Sequence, residues 1–69
     1  MKLSARNVIK GKVKAVNKGP VSSEVIVEIA PGINVVAVIS TGSADTLALS
    51  PGKDAYAVIK ASHVMVAVD

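Results

Sequence analysis

Two short segments carry residue types from which a binding site could be assembled: Ser4-Ala5-Arg6-Asn7 near one end of the sequence and Lys60-Ala61-Ser62-His63 near the other. Each joins a cation to a hydroxyl. Arg6 offers a planar fork of N–H donors, Lys60 a compact ammonium, and Ser4 and Ser62 hydroxyls that can donate, so together they could surround a tetrahedral oxyanion. Surface cations beside strand-ending serines would use the same residues, and spacing alone leaves both readings open.

Other chemistries are poorly served. His63 is the single histidine and there is no cysteine, so disulfides, thiolate sites and a zinc centre are excluded. Ser62 beside His63 is not a dyad, and no carboxylate lies close in sequence to orient the ring in its apolar strand context. The acids Glu24, Glu28, Asp45, Asp54 and Asp69 are scattered, with no paired-carboxylate motif and no phosphate loop. Neither an enzyme nor a resident cofactor is expected.

Net charge is +3, and Lys2, Arg6, Lys10, Lys12, Lys14 and Lys18 all precede the first acid, Glu24. An anionic partner follows, although alternating Lys10, Lys12 and Lys14 equally describe the solvated face of a strand. A nucleic-acid-binding module of the oligonucleotide/oligosaccharide-binding (OB) type is the alternative. Such domains stack bases on exposed rings, and Tyr56 is the only aromatic residue, which argues against it.

These residues must be held by strands. From Val8 to Val16 the lysines alternate with Gly11, Val13 and Ala15, a period of two that ends at the turn Lys18-Gly19-Pro20. Val21 to Ile29 alternates again, with Val25, Val27 and Ile29 on one face. The pair Pro31-Gly32 suits a type II turn, so the β-branched run Val35 to Ile39, read as a strand buried on both sides, should return as an antiparallel hairpin. Ser43 is a plausible N-cap for a short helix through Leu49. After the turn at Pro51-Gly52, Ala55 to Ala61 and Val64 to Val68 read as the last strands. The expected fold is all-β: one domain over residues 1–69, a five-stranded OB-like barrel with one short helix.

The chain is 69 residues long and 51% apolar, mostly small aliphatic side chains. A domain this small cannot hide them all, so some valine-rich faces should be buried against further copies. No apolar run approaches the length needed to cross a bilayer, and MKLSARN lacks a hydrophobic signal core, so a cytoplasmic location and no membrane contact are expected.

SARN followed by VIKGKVKAV, then NKGPVSSEVIVEI, VISTGSADTLAL, PGK and KASHVMVAVD, closely resembles the molbindins, small proteins of one Mop (TOBE-type) domain. The similarity runs along essentially the whole chain. It is most specific in the ordered set of SARN, the KGxV turn and KASHVMV. The resemblance implies a homohexamer, a trimer of dimers, that binds molybdate or tungstate for intracellular molybdenum storage and homeostasis. It places one class of site between subunits, on Ser4, Ala5, Arg6, Lys60, Ala61 and Ser62, with Ser40 a further member. A second class lies near the threefold axes and uses main-chain donors of a turn, mapped here to Lys18, Gly19, Val21, Ser22 and Ser23.

The ligand suits those residues. Molybdate at neutral pH is an unprotonated dianion, so its site should contain donors alone. Hydrogen phosphate would bring a proton with no acceptor, at a cost of about 1–3 kcal/mol. Sulfate can be excluded only by cavity size, and tungstate not at all.

Overall fold

The protein is described over residues 1–69 by a computed structural model. Four strands follow the alternating segments: β1 (Asn7–Lys18), β2 (Ser22–Ala30), β3 (Ile33–Ser40) and β4 (Asp54–Ile59). A short helix, α1 (Thr41–Thr46), stands between β3 and β4, and a single 3-10 turn covers Ala61–His63. The strands form one antiparallel sheet in the order β3-β2-β1-β4.

β1 is shared between two neighbours. Its first half pairs with β4, from Asn7 opposite Ile59 to Lys12 opposite Asp54, and its second half pairs with β2, from Lys12 opposite Glu28 to Lys18 opposite Ser23. Gly11 sits where the partners change, and a Cβ there would stand 2.4 Å from the Glu28 carbonyl oxygen. Only glycine lets the two backbones approach so closely. Just beyond, the register slips between Val13 and Ala15. The Val13 amide donates to the Lys53 carbonyl at 2.9 Å, and Val13 accepts from the Gly52 amide at 2.8 Å, so the turn before β4 is fastened to the bulge.

Val13, Val25 and Val27 form the buried core, with Val16, Ile29, Ile39, Leu49 and Ala55 packed around it. The inward face of β2 is the one given by the alternation, as is that of β1 up to Val13; beyond the bulge the parity reverses, and Val16, opposite Val25, packs on the core. The hairpin between β2 and β3 turns at Pro31-Gly32, where Gly32 has φ +75° as a type II turn requires.

Four expectations are corrected. There are four strands, and the sheet is open: Val64 to Val68 form no strand but run on, exposed, beyond the 3-10 turn. A strand needs an edge to pair with, and this segment pairs with neither of the two free edges of its own sheet, β3 and β4. β3 is buried on one side only, for Val36 and Val38 are 58% and 71% exposed. The helix begins at Thr41 with Ser40 as its N-cap, three residues earlier than Ser43 would have placed it. His63 lies in the 3-10 turn and is exposed, outside any strand.

Between the unpaired edges of β3 and β4 the open sheet leaves an apolar cleft of about 340 Å3, bordered by Val35, Ala37 and Ile39 on one side and Tyr56, Val58 and Ile59 on the other. No helix is long and apolar enough to cross a membrane.

Candidate functional site

The antiparallel ladder of β1 and β4 starts from the pair Asn7 and Ile59, and the Asn7 side-chain amide donates to the Ile59 carbonyl at 3.1 Å. Arg6 and Lys60 are the next residues outward on each strand. They are therefore brought to the same end of the sheet, followed by Ala5 and Ser4 on one chain segment and by Ala61 and Ser62 on the other. All six are exposed except half-buried Ala5. The 3-10 turn is closed by the His63 amide donating to the Lys60 carbonyl at 2.9 Å, which bends the chain directly after Lys60.

Charge at this end is uncompensated. The ion pairs of the chain lie elsewhere: Lys12 and Lys10 on Asp54, at 2.7 and 4.0 Å, and Lys18 on Asp45 at 2.6 Å. Lys53 is spent on the Leu47 and Ala48 carbonyls at the end of α1. Arg6 and Lys60 have no carboxylate within ion-pair distance. Two cations and two hydroxyls that can donate, with no carboxylate among them, can bind an anion that carries no proton. No group of His, Cys, Asp and Glu side chains is placed to hold a metal cation.

Ser40 sits elsewhere. It pairs with Ser22 across β2 and β3, beside the Lys18 end of β1, so along β1 it belongs to the opposite end from Arg6 and Lys60. Its hydroxyl is occupied: Oγ accepts from the Ser43 amide at 3.0 Å and donates to Ser43 Oγ at 2.7 Å. The free proton of that pair belongs to Ser43. Sequence reasoning missed it because it took Ser43 as the cap; the three-residue spacing of two serines before a short helix was the available signal. Ser40, Gly42, Ser43 and Thr46 line a shallow depression of about 490 Å3 that includes neither Arg6 nor Lys60.

The turn from Lys18 to Ser23 lies against this same end. The Gly19 amide is consumed by the Ser22 carbonyl at 2.9 Å, and Pro20 has no amide proton. Ser23, 1% exposed, is the one buried polar side chain, and its Oγ lies 2.8 Å from Thr41 Oγ1. Val21, 76% exposed, and the exposed Ser22 hydroxyl are what the turn turns outward. Register thus makes Ser22 and Ser40, assigned to two separate sites by the resemblance, cross-strand neighbours on one face.

One carboxyl has a resolved perturbation. The hydrogen bond from Lys12, then the charges of Lys12 and Lys10, hold Asp54 below its ordinary range. This is a surface ion cluster at the Lys12–Asp54 end of the β1–β4 ladder, the opposite end from Arg6 and Lys60.

A small antiparallel β-domain of OB-like topology, with an unpaired cationic end, defines a class of anion-binding modules. The chain belongs to the TOBE domain family, which matches residues 3–66. Among curated relatives, molybdenum-pterin-binding protein 3 of Clostridium pasteurianum is 48% identical over 66 residues, 96% of this chain and 97% of the relative. Among solved structures, MopII from Clostridium pasteurianum superposes with a TM-score of 0.89 at 40% identity, covering 97% of this chain and all of that one. The molybdate-binding protein from Sporomusa ovata gives 0.91 at 34% identity, over 99% and 100% of the two chains.

Proposed function

We propose that this chain binds molybdate, with tungstate as its analogue, in a cytoplasmic homo-oligomer that stores or buffers the oxyanion and performs no catalysis. The observation that carries the reading is the convergence of Arg6 and Lys60 at one end of the β1–β4 ladder without a carboxylate partner. Two like charges side by side repel one another, and a dianion between them removes that repulsion while accepting hydrogen bonds from Ser4 and Ser62. Relatives named for molybdenum-pterin or molybdate support the choice of anion.

Self-association is supported by what one chain leaves uncovered. Met65, Val66 and Val68 are at least 90% exposed, and the cleft between β3 and β4 has apolar walls and two unpaired edges. A terminal segment from another copy fits both requirements, since it brings alternating valines and a backbone ready to pair. The two ends of β1 then need not share a subunit's site: Ser40 of one copy can complete the Arg6 and Lys60 cluster of another. On this reading the ligand stabilises the assembly by mass action, because only the assembled state binds it fully.

Isothermal titration with sodium molybdate at neutral pH tests the function. Wild-type protein should bind saturably, and Arg6→Ala and Lys60→Ala should each weaken binding by about 1.5–3 kcal/mol, the worth of a hydrogen bond to a charged group. Lys12→Ala, whose partner is Asp54, should leave affinity unchanged. Equal losses from all three would replace the site by a diffuse basic surface, and displacement of molybdate by single-stranded DNA would favour the nucleic-acid reading.

A further inference from the structure

Among the hydroxyls at the Ser40 end, one is held differently from the rest. Thr41 Oγ1 donates to the Gly19 carbonyl at 2.7 Å and lies 2.8 Å from Ser23 Oγ. A hydroxyl has one proton, so with Thr41's given to Gly19 the Ser23 hydroxyl must be the donor of the second bond. The chain of bonds therefore runs from buried Ser23 through Thr41 to the turn. In addition the Thr41 amide donates to the Val21 carbonyl at 2.8 Å. Thr41 is thus fastened by backbone and side chain to both sides of the Lys18–Ser22 turn, while being covalently next to Ser40. No other side chain joins these two segments apart from the exposed Lys18–Asp45 pair.

We propose that Thr41 is a positioning residue for oxyanion binding: its hydroxyl, between Ser23 and the Gly19 carbonyl, locks the Lys18–Ser22 turn to Ser40. Ser22 and the Ser40–Ser43 hydroxyl pair, whose free proton is that of Ser43, are then presented as one preset donor surface. Thr41 touches no ligand; it removes the freedom that Ser40 and the turn would otherwise lose on binding, and rigid donors bind more tightly than mobile ones. The inference rests on the molybdate reading above.

The test compares wild type with Thr41→Val, Thr41→Ser and Ser23→Ala by titration with sodium molybdate, well below each melting temperature. Ile29→Val serves as a control, since it thins packing against the core without touching the turn. Thr41→Val keeps the shape and removes both hydroxyl bonds; affinity should fall about tenfold. Thr41→Ser should restore it. Ser23→Ala leaves the Thr41–Gly19 bond in place and should cost about threefold, a readout that survives if Thr41→Val does not fold. Ile29→Val should lower the melting temperature at unchanged affinity.

Unchanged affinity in Thr41→Val and Ser23→Ala, failure of Thr41→Ser to restore it, or an equal loss in Ile29→Val would overturn the role of Thr41 while leaving molybdate binding intact. Wild-type protein that does not bind molybdate would overturn the functional reading and this inference together.

Discussion

Replacing Val66 by Asp should dissociate the protein into single chains, and the size of the effect can be worked from surface areas. The chain alone exposes 5227 Å2. A folded monomer of 7.0 kDa is expected to expose about 4,000 Å2, so roughly 1,200 Å2 per chain is in excess. That excess exceeds the ~800 Å2 per partner of a standard specific interface. Val66 is 90% exposed in the single chain. Burying a valine contributes about 1.5–3 kcal/mol, and in a two-fold pair both copies lose it, for about 3–6 kcal/mol per dimer. The dissociation constant should rise by a factor on the order of 10² to 10⁴, more if the carboxylate is forced into the cleft unpaired. Sedimentation equilibrium across a concentration series reads this directly, with Val66→Ile as the conservative control. Tyr56, at the cleft wall and the sole aromatic residue, reports the same event by fluorescence. Unaltered association of Val66→Asp would refute docking of this segment, and wild-type protein of single-chain mass at micromolar concentration would refute assembly altogether.

Three further outcomes are expected. Gly11→Ala places a Cβ against the Glu28 carbonyl and 2.9 Å from Val27 Cγ1, so β1 and β2 must separate; the urea midpoint should fall by an equivalent of about 1–3 kcal/mol, and an unchanged midpoint would contradict the close approach. In competition titrations at neutral pH, tungstate should displace molybdate at similar concentration whereas hydrogen phosphate should not, since neither segment holds a carboxylate to take its proton and the hydroxyls of Ser4 and Ser62 serve as donors; effective displacement by phosphate would place an acceptor or open water in the site. Asp54 is held below its ordinary pKa first by its hydrogen bond from Lys12, so its contribution to stability is present above the unfolded-state value and lost as pH falls through the lowered folded value. Lys12→Ala should move the Asp54 carboxyl, followed by NMR, back up toward the ordinary carboxylate range; a carboxyl that stays low would show that Lys12 is not its main partner.

Much of this protein could be read from local chemistry. The alternation from Val8 to Val16 and from Val21 to Ile29 gave two strands, with the correct face inward along β2 and along β1 as far as Val13, because side-chain direction along an unbroken strand depends only on parity; the bulge before Ala15 then turns Val16 inward. Pro31-Gly32 and Pro51-Gly52 marked turns, since Gly32 and Gly52 adopt positive φ that other residues avoid. Arg6 and Lys60 stood out as members of two similar segments, but that one end of the sheet carries both follows from the Asn7–Ile59 register. What only the tertiary structure decided concerns partners at a distance. Val64 to Val68 has the pattern of a strand and is none, because pattern states which face would be buried and the segment must still be brought alongside an edge that accepts its hydrogen bonds, which neither β3 nor β4 of its own chain is. Val36 and Val38 face outward for the same reason: a β-branched run fits a buried strand, and what stands opposite it is set by strand order. Within one chain, strand order puts Ser40 beside Ser22, at the far end of β1 from Lys60, and the helix N-terminus claims its hydroxyl. Parity and turn chemistry act over a few residues and are written in them, whereas register and edge pairing join residues far apart in the chain and exist only once it has folded.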